Sequence, residues 1–200
     1  MSTEIQKEVD NMERSKINIK KSTVSMCQTA VCAALLCVLS PLAIPTPLSI
    51  AFTLQVMIVI LSALILKPLQ ALAAQVIYTL LGIAGLPVFS GYQSGFGVIA
   101  GPTGGFILGF IAASFFVSLL KGSPNGKFAL PRYVIVAVAV GIPCIYIPGI
   151  VGFMLASGKD FMTAFALVAA AFIPVDLIKC VAAALLACRL SRRAVRAPER

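Results

Sequence analysis

The chain has 200 residues, 60% hydrophobic and 12% charged, with a formal net charge of +9 and no histidine. A mean hydropathy of +1.01 lies outside the range of soluble globular domains, and no polar segment is large enough to bury a core of its own, which excludes a string of small soluble domains. The positive charge does not point to nucleic acid: the basic residues sit in short clusters beside apolar runs, Trp is absent, and no basic-aromatic patch occurs.

Along the chain, residues 1–21 mix Glu4, Glu8, Asp10 and Glu13 with Lys7, Arg14, Lys16, Lys20 and Lys21. They read as a solvated cytoplasmic tail, because a signal peptide has a shorter charged start and a small-residue cleavage site after its apolar core. No Asp, Glu, Lys or Arg occurs from Ser22 to Leu66, from Pro68 to Leu120, or from Tyr133 to Gly158. A bilayer crossing takes about 20 apolar residues, so each of the first two runs accommodates two crossings. The expectation is an all-α integral membrane protein with six transmembrane helices. The spans fall at about Val24–Ala43, Phe52–Leu66, Leu69–Ile83, Pro102–Leu120 and Tyr133–Leu155, with a sixth between Phe161 and Cys188. A Pro-rich corner, PLAIPTP, follows the first span, and a Gly-rich loop, GLPVFSGYQSGFGVIAGPTGG, separates the third from the fourth. The chain thus divides into an N-terminal tail (1–21), a membrane domain (22–190) and a basic C-terminal tail (191–200).

Six crossings put both termini on one side. The basic residues before the first span share that side with Lys67, with Lys121, Lys127 and Arg132, and with Arg189, Arg192, Arg193, Arg196 and Arg200; the other side has only Lys159. Positive charge marks the cytoplasmic face. The protein is therefore expected to be a multi-pass cell-membrane protein with cytoplasmic termini and an outward Gly-rich loop. The last segment, Phe161–Cys188, would be about 42 Å long as one helix, too long for a simple crossing. Proline and an acid both suit a first helical turn, so the last crossing is expected to start near Pro174. The preceding DFMTAFALVAAAF is then a helix lying near or dipping into the outer face.

Within FIPVDLIK, Asp176 and Lys179 share one helix face in an otherwise apolar run. They are open to two readings: a structural ion pair, or a binding site. Each charge costs about 2.5–3.5 kcal/mol at a helix centre on insertion scales, so intramembrane charges that persist usually line a substrate path. Such a pair suits a solute carrying a carboxylate and polar N–H groups. Gln93, Tyr92 and Thr103 of the Gly-rich segment and Tyr146 of GIPCIYIPG are placed to add hydrogen bonds. Gly101, Gly105, Gly109 and Ala113 recur every four residues and form a face that lets helices approach closely.

Catalysis finds no support. GSPNGK is one residue short of a phosphate loop, no glutamate lies in any span, and Cys27, Cys32, Cys37, Cys144, Cys180 and Cys188 make no C-x-x-C pair. No enzyme activity, metal or cofactor is expected.

In order and separation, GLPVFSG…GPTGGF and FIPVDLIK resemble the BioY family, the biotin-specific substrate-binding subunits of energy-coupling factor (ECF) transporters. The resemblance covers most of the chain after residue 21. It implies high-affinity capture of biotin from outside the cell, delivered with a transmembrane scaffold subunit and a pair of ATPases, so that ATP is used by the partners alone. Asp176 and Lys179 match the family's proline–x–aspartate–x–x–lysine motif, and Gln93 falls where relatives carry an amide, a partner for the ureido ring. The stretch containing Gly101 and Gly104 matches the loop beside the site. Ala30 and Ala34 match an alanine-x-x-x-alanine face that docks the scaffold. Phe106 stands where a tyrosine is frequent, and Gly152 where an aromatic is common. The competing reading of the residues is an ion-coupled secondary transporter of a small organic acid with Asp176 as proton carrier. A purely structural membrane scaffold would bind no vitamin.

Overall fold

Apolar residues at helical spacing build long helices here, and prolines and glycines decide where those helices bend and how closely they meet. A computed structural model describes residues 2–44, 52–123 and 128–196. The end of the Pro-rich corner and the basic residues Lys127 and Arg200 lie outside them.

Helix α1 (Ser2–Leu39) carries the charged residues 2–21 straight into the first apolar run. A two-residue antiparallel pair follows, β1 (Ala43–Ile44) with β2 (Phe52–Thr53), and brings the start of α2 (Gln55–Ile65) back toward the end of α1. Pro68 sits in the first turn of α3 (Pro68–Ile83), where its missing N–H costs nothing, and the Gln70 side chain accepts from the Lys67 amide at 2.9 Å. A short α4 (Phe96–Ala100) leads into α5 (Gly104–Leu120). Helices α6 (Ala129–Val136) and α7 (Ile142–Ser157) are joined through a π-helical turn, Ala137–Gly141. In the same way α8 (Phe161–Phe165) passes through a π-turn, Ala166–Ala170, into α9 (Ala171–Arg196). Asp160 caps α8. Its carboxylate accepts from the Thr163 hydroxyl and amide, at 2.6 and 3.1 Å, and these bonds hold its pKa below the usual carboxylate range.

Both π-turns trace to proline. Pro143 has no N–H to offer Ala139, four residues back, and Pro174 has none for Ala170. The steric conflict of a proline ring also falls on that upstream carbonyl. This explains a departure from the sequence expectation: the last helix starts at Ala171 with Pro174 inside it, and the 43° bend lies between Phe161–Ala170 and Phe172–Ser191.

Among the described residues, Ser22–Leu39 and Ala129–Ser157 are each long and apolar enough to cross a bilayer, and the bent pair makes a third such unit. Gln55–Ile65, Pro68–Ile83 and Gly104–Leu120 are apolar but shorter. The protein is a helical membrane protein. Helix α5 packs against α7, α3 and α2, α2 packs against α9, and α1 lies outside α3. Where α2 ends, the Leu66 carbonyl accepts from Ser118 Oγ at 2.6 Å and from Lys121 Nζ, which also donates to the Ala63 carbonyl at 3.0 Å. The orphan carbonyls of a helix end are thereby satisfied within the protein.

The tightest contact joins α5 to α7. A Cβ built on Gly105 would sit 2.1 Å from the Pro148 carbonyl oxygen, and one on Gly109 would sit 2.7 Å from that of Ile145. Gly152 faces Gly105 backbone at under 3 Å in the same way, which accounts for the glycine at that position. Overpacking such a seam costs about 1–3 kcal/mol or more. Gly109→Leu is therefore expected to lower the melting temperature of the purified protein by several degrees. Gly97→Ala, where an added Cβ meets nothing within 4 Å, should leave it unchanged.

Candidate functional site

The first turns of α2, α5 and α7, the start of α9 and the Gly-rich segment line an open cavity of about 670 Å³, adjoining solvent included. Its walls combine Phe89, Phe106, Phe110 and Phe172 with a small number of polar side chains. That is the make-up of a site for a small ligand with an apolar body and a few fixed polar groups.

Asp176 is the centre of the polar wall. It is 4% exposed, and each carboxylate oxygen has a partner. Oδ1 accepts from Lys179 Nζ at 2.7 Å, and Oδ2 accepts from the Tyr146 hydroxyl at 2.8 Å. The i, i+3 spacing on α9 brings Lys179 to Asp176, while Tyr146 arrives from α7, where Phe106 lies edge-on against its ring at 6.0 Å. Asp176, Lys179 and Tyr146 all line the cavity. The ion pair is therefore formed within the protein and also faces open space.

Gln93 and Thr103 line the same cavity, which thus gathers five of the residues singled out from sequence. Tyr92, Gly101 and Gly104 are not among the lining residues. Tyr92 is 64% exposed and adopts a left-handed backbone conformation (φ 61°). Gly104 and Gly101 meet α4 backbone instead; a Cβ on Gly104 would overlap the Ile99 carbonyl. Ala30 and Ala34 are both exposed on α1, far from burial in the bundle.

The structure adds Gln55, Thr53 and Ser90, none of which the sequence singled out. Gln55, on the first turn of α2 and 4% exposed, donates through Nε2 to the Tyr78 hydroxyl at 3.0 Å. Tyr78, fully buried on α3, in turn donates to the Val88 carbonyl at 3.1 Å. Its ring is edge-on to Phe89, which stands directly over Gly82, where any side chain would clash with the Phe89 ring. Two bonds pin the loop above, from the Gly95 amide to the Gly82 carbonyl at 2.7 Å and from the Phe89 amide to the Gln93 carbonyl at 3.0 Å. The signal available in the sequence was a pair of polar side chains, Gln55 and Tyr78, in apolar runs where each must find a partner.

Residues 10–196 match the sequence profile described as the BioY family. A biotin transporter BioY from Thermotoga maritima is 39% identical over 145 residues, 72% of this chain and 82% of the relative. A probable biotin transporter BioY from Bacillus subtilis is 34% identical over 174 residues, 84% of this chain and 91% of the relative. The crystal structure of an S-component for biotin from an ECF-type ABC transporter superposes with a TM-score of 0.80 at 22% identity, covering 86% of this chain and 93% of that one, and shows the shared fold. With the profile spanning nearly the whole chain and relatives above 30% identity covering most of it, the protein belongs to the BioY family.

Proposed function

We propose that the protein captures biotin from outside the cell and delivers it across the membrane as the substrate-binding subunit of an ECF-type transporter. The observation that carries this reading is a membrane-embedded Asp176–Lys179–Tyr146 cluster opening onto an aromatic-walled cavity in a chain of the BioY family. The relatives' names give the substrate, and the chemistry of the cavity suits it. Phe106, Phe110 and Phe172 offer apolar surface for a fused ring and its alkyl chain. Asp176 accepts from ureido N–H groups. Lys179 is already bonded to Asp176 at 2.7 Å, which favours its role in orienting that carboxylate. Gln93 and Thr103 supply further hydrogen bonds, while Tyr92, Gly101 and Gly104 shape the rim.

In the bilayer, six crossings arise if the three shorter apolar helices and the bent pair each span, with both termini cytoplasmic and the cavity facing out. The membrane domain covers 22–190, flanked by the charged tail 1–21 and the basic tail 191–200. Ala30 and Ala34 lie on the exposed side of α1 with Val31, Leu35 and Val38, a face suited to docking a scaffold subunit that carries the ATPase pair.

A hydrogen bond to a charged group contributes about 1.5–3 kcal/mol, which corresponds to about a 10- to 100-fold change in affinity. Titration of the purified protein in detergent should show tight biotin binding that weakens by that factor in Asp176→Asn and Lys179→Ala. Tight binding that survives both substitutions would remove the pair from the site. No binding at all would revive the secondary transporter, whose uptake collapses with a protonophore while ATP remains. Replacing Ala30 and Ala34 by Trp together should leave biotin affinity intact and abolish co-purification with the scaffold subunit; retained co-purification would place the docking face elsewhere.

A further inference from the structure

Gln55 is the one amide of the cavity wall whose polarity is set by its neighbours. A glutamine amide can present either its oxygen or its nitrogen, and ordinary packing does not choose between them. Here a relay chooses. The Tyr78 hydroxyl gives its proton to the Val88 carbonyl at 3.1 Å, so its oxygen has only lone pairs left for Gln55. The Gln55 nitrogen meets that oxygen as a donor at 3.0 Å, whereas the amide oxygen in its place would set two acceptors against one another. The Tyr78 proton could serve an amide oxygen only by leaving the Val88 carbonyl, which would strip a buried acceptor of its donor. Nε2 is therefore committed to Tyr78. Among the described residues no group donates to Oε1, although Gln55 lines the cavity.

We propose that Gln55 is a specificity-determining residue of this site, an acceptor held in one orientation by the Tyr78–Val88 relay and aimed at an N–H group of the ligand. The inference rests on the cavity being the ligand site, as read above. It deepens that reading by stating what the ligand must present. Asp176 on α9 is an acceptor, and Gln55 on α2 is a second one on another element. A cyclic urea, with N–H donors on two edges, satisfies both. A ligand presenting an alkylated nitrogen or an oxygen at the α2 wall leaves a buried acceptor without a donor, and sites of that kind reject the mismatched analogue strongly.

The test uses biotin and its two mono-N-methylated ureido derivatives, titrated into wild type, Gln55→Leu, Tyr78→Phe and the double variant. Leucine is similar in size to glutamine, so it removes the acceptor without opening much room. Gln55→Leu is expected to weaken biotin binding by about tenfold and to erase the preference for biotin over one of the two derivatives. Tyr78→Phe should move the same ratio in the same direction. The double variant should bind no more weakly than Gln55→Leu alone, since the relay acts only through the amide. If Gln55→Leu does not fold, Tyr78→Phe carries the ratio test by itself, and a merely structural tyrosine would change the melting temperature without changing the ratio. Wild-type binding with an unchanged ratio in both single variants, or additive losses in the double variant, overturns the inference alone. Absence of biotin binding by the wild type overturns the functional reading and this inference with it.

Discussion

A polar group inside a bilayer has no water to turn to, and nearly every functional feature of this molecule follows from how that need is met. Asp176 is satisfied twice over, by Lys179 and Tyr146, before any ligand arrives. Satisfying both oxygens from two different helices fixes the direction of the carboxylate. It also gives the acid a partner in an apolar surround, where an unpaired ion would be far more costly. The same demand explains the Gln55–Tyr78–Val88 chain of hydrogen bonds, and Lys121 with Ser118 at the end of α2. Bonds that satisfy the protein also preorganise it, so on the proposed reading a ligand entering the cavity meets groups already aimed and loses little to their ordering.

Backbone irregularity places those groups. Pro143 and Pro174 each force the helix before them into a π-turn, and the two turns lead into the helices that carry Tyr146 and Asp176. A straight α7 and α9 would rotate both side chains relative to the neighbouring helices. The glycines of α5 act on distance instead of direction. By removing side chains at Gly105 and Gly109 they bring α5 against α7, which sets Phe106 edge-on to Tyr146. On the proposed reading, prolines aim the polar wall and glycines bring the aromatic wall to it.

Much of this was legible in the sequence because a bilayer imposes long, charge-free runs that are hard to mistake. Asp176 and Lys179 stood out for the same reason, as charges where hydrocarbon is expected, and Tyr146 through its proline neighbours. The glycine spacing forecast a close helix contact, and α5 meets α7 through it. What escaped was whatever depends on long-range contact. The exact break before α9 was expected at Pro174, but a proline acts on the carbonyl four residues back, so the helix parts at Ala166–Ala170. Gln55 drew no reading of its own inside the second apolar run, and only its pairing with Tyr78, 23 residues later in the chain, shows why it is there. Tyr92 has the right chemistry and the right loop, but it is exposed, in a left-handed backbone conformation, and does not line the cavity. No periodicity encodes that conformation.

The central claim is that the cavity beside Asp176 is where biotin rests. An experimental structure of the purified protein with biotin tests it most directly. The account predicts the ureido ring within hydrogen-bond distance of Asp176, the fused rings against Phe106 and Phe172, and a second ureido nitrogen facing Gln55. Biotin found at another location, or in this cavity with its ureido group turned away from Asp176, would contradict it.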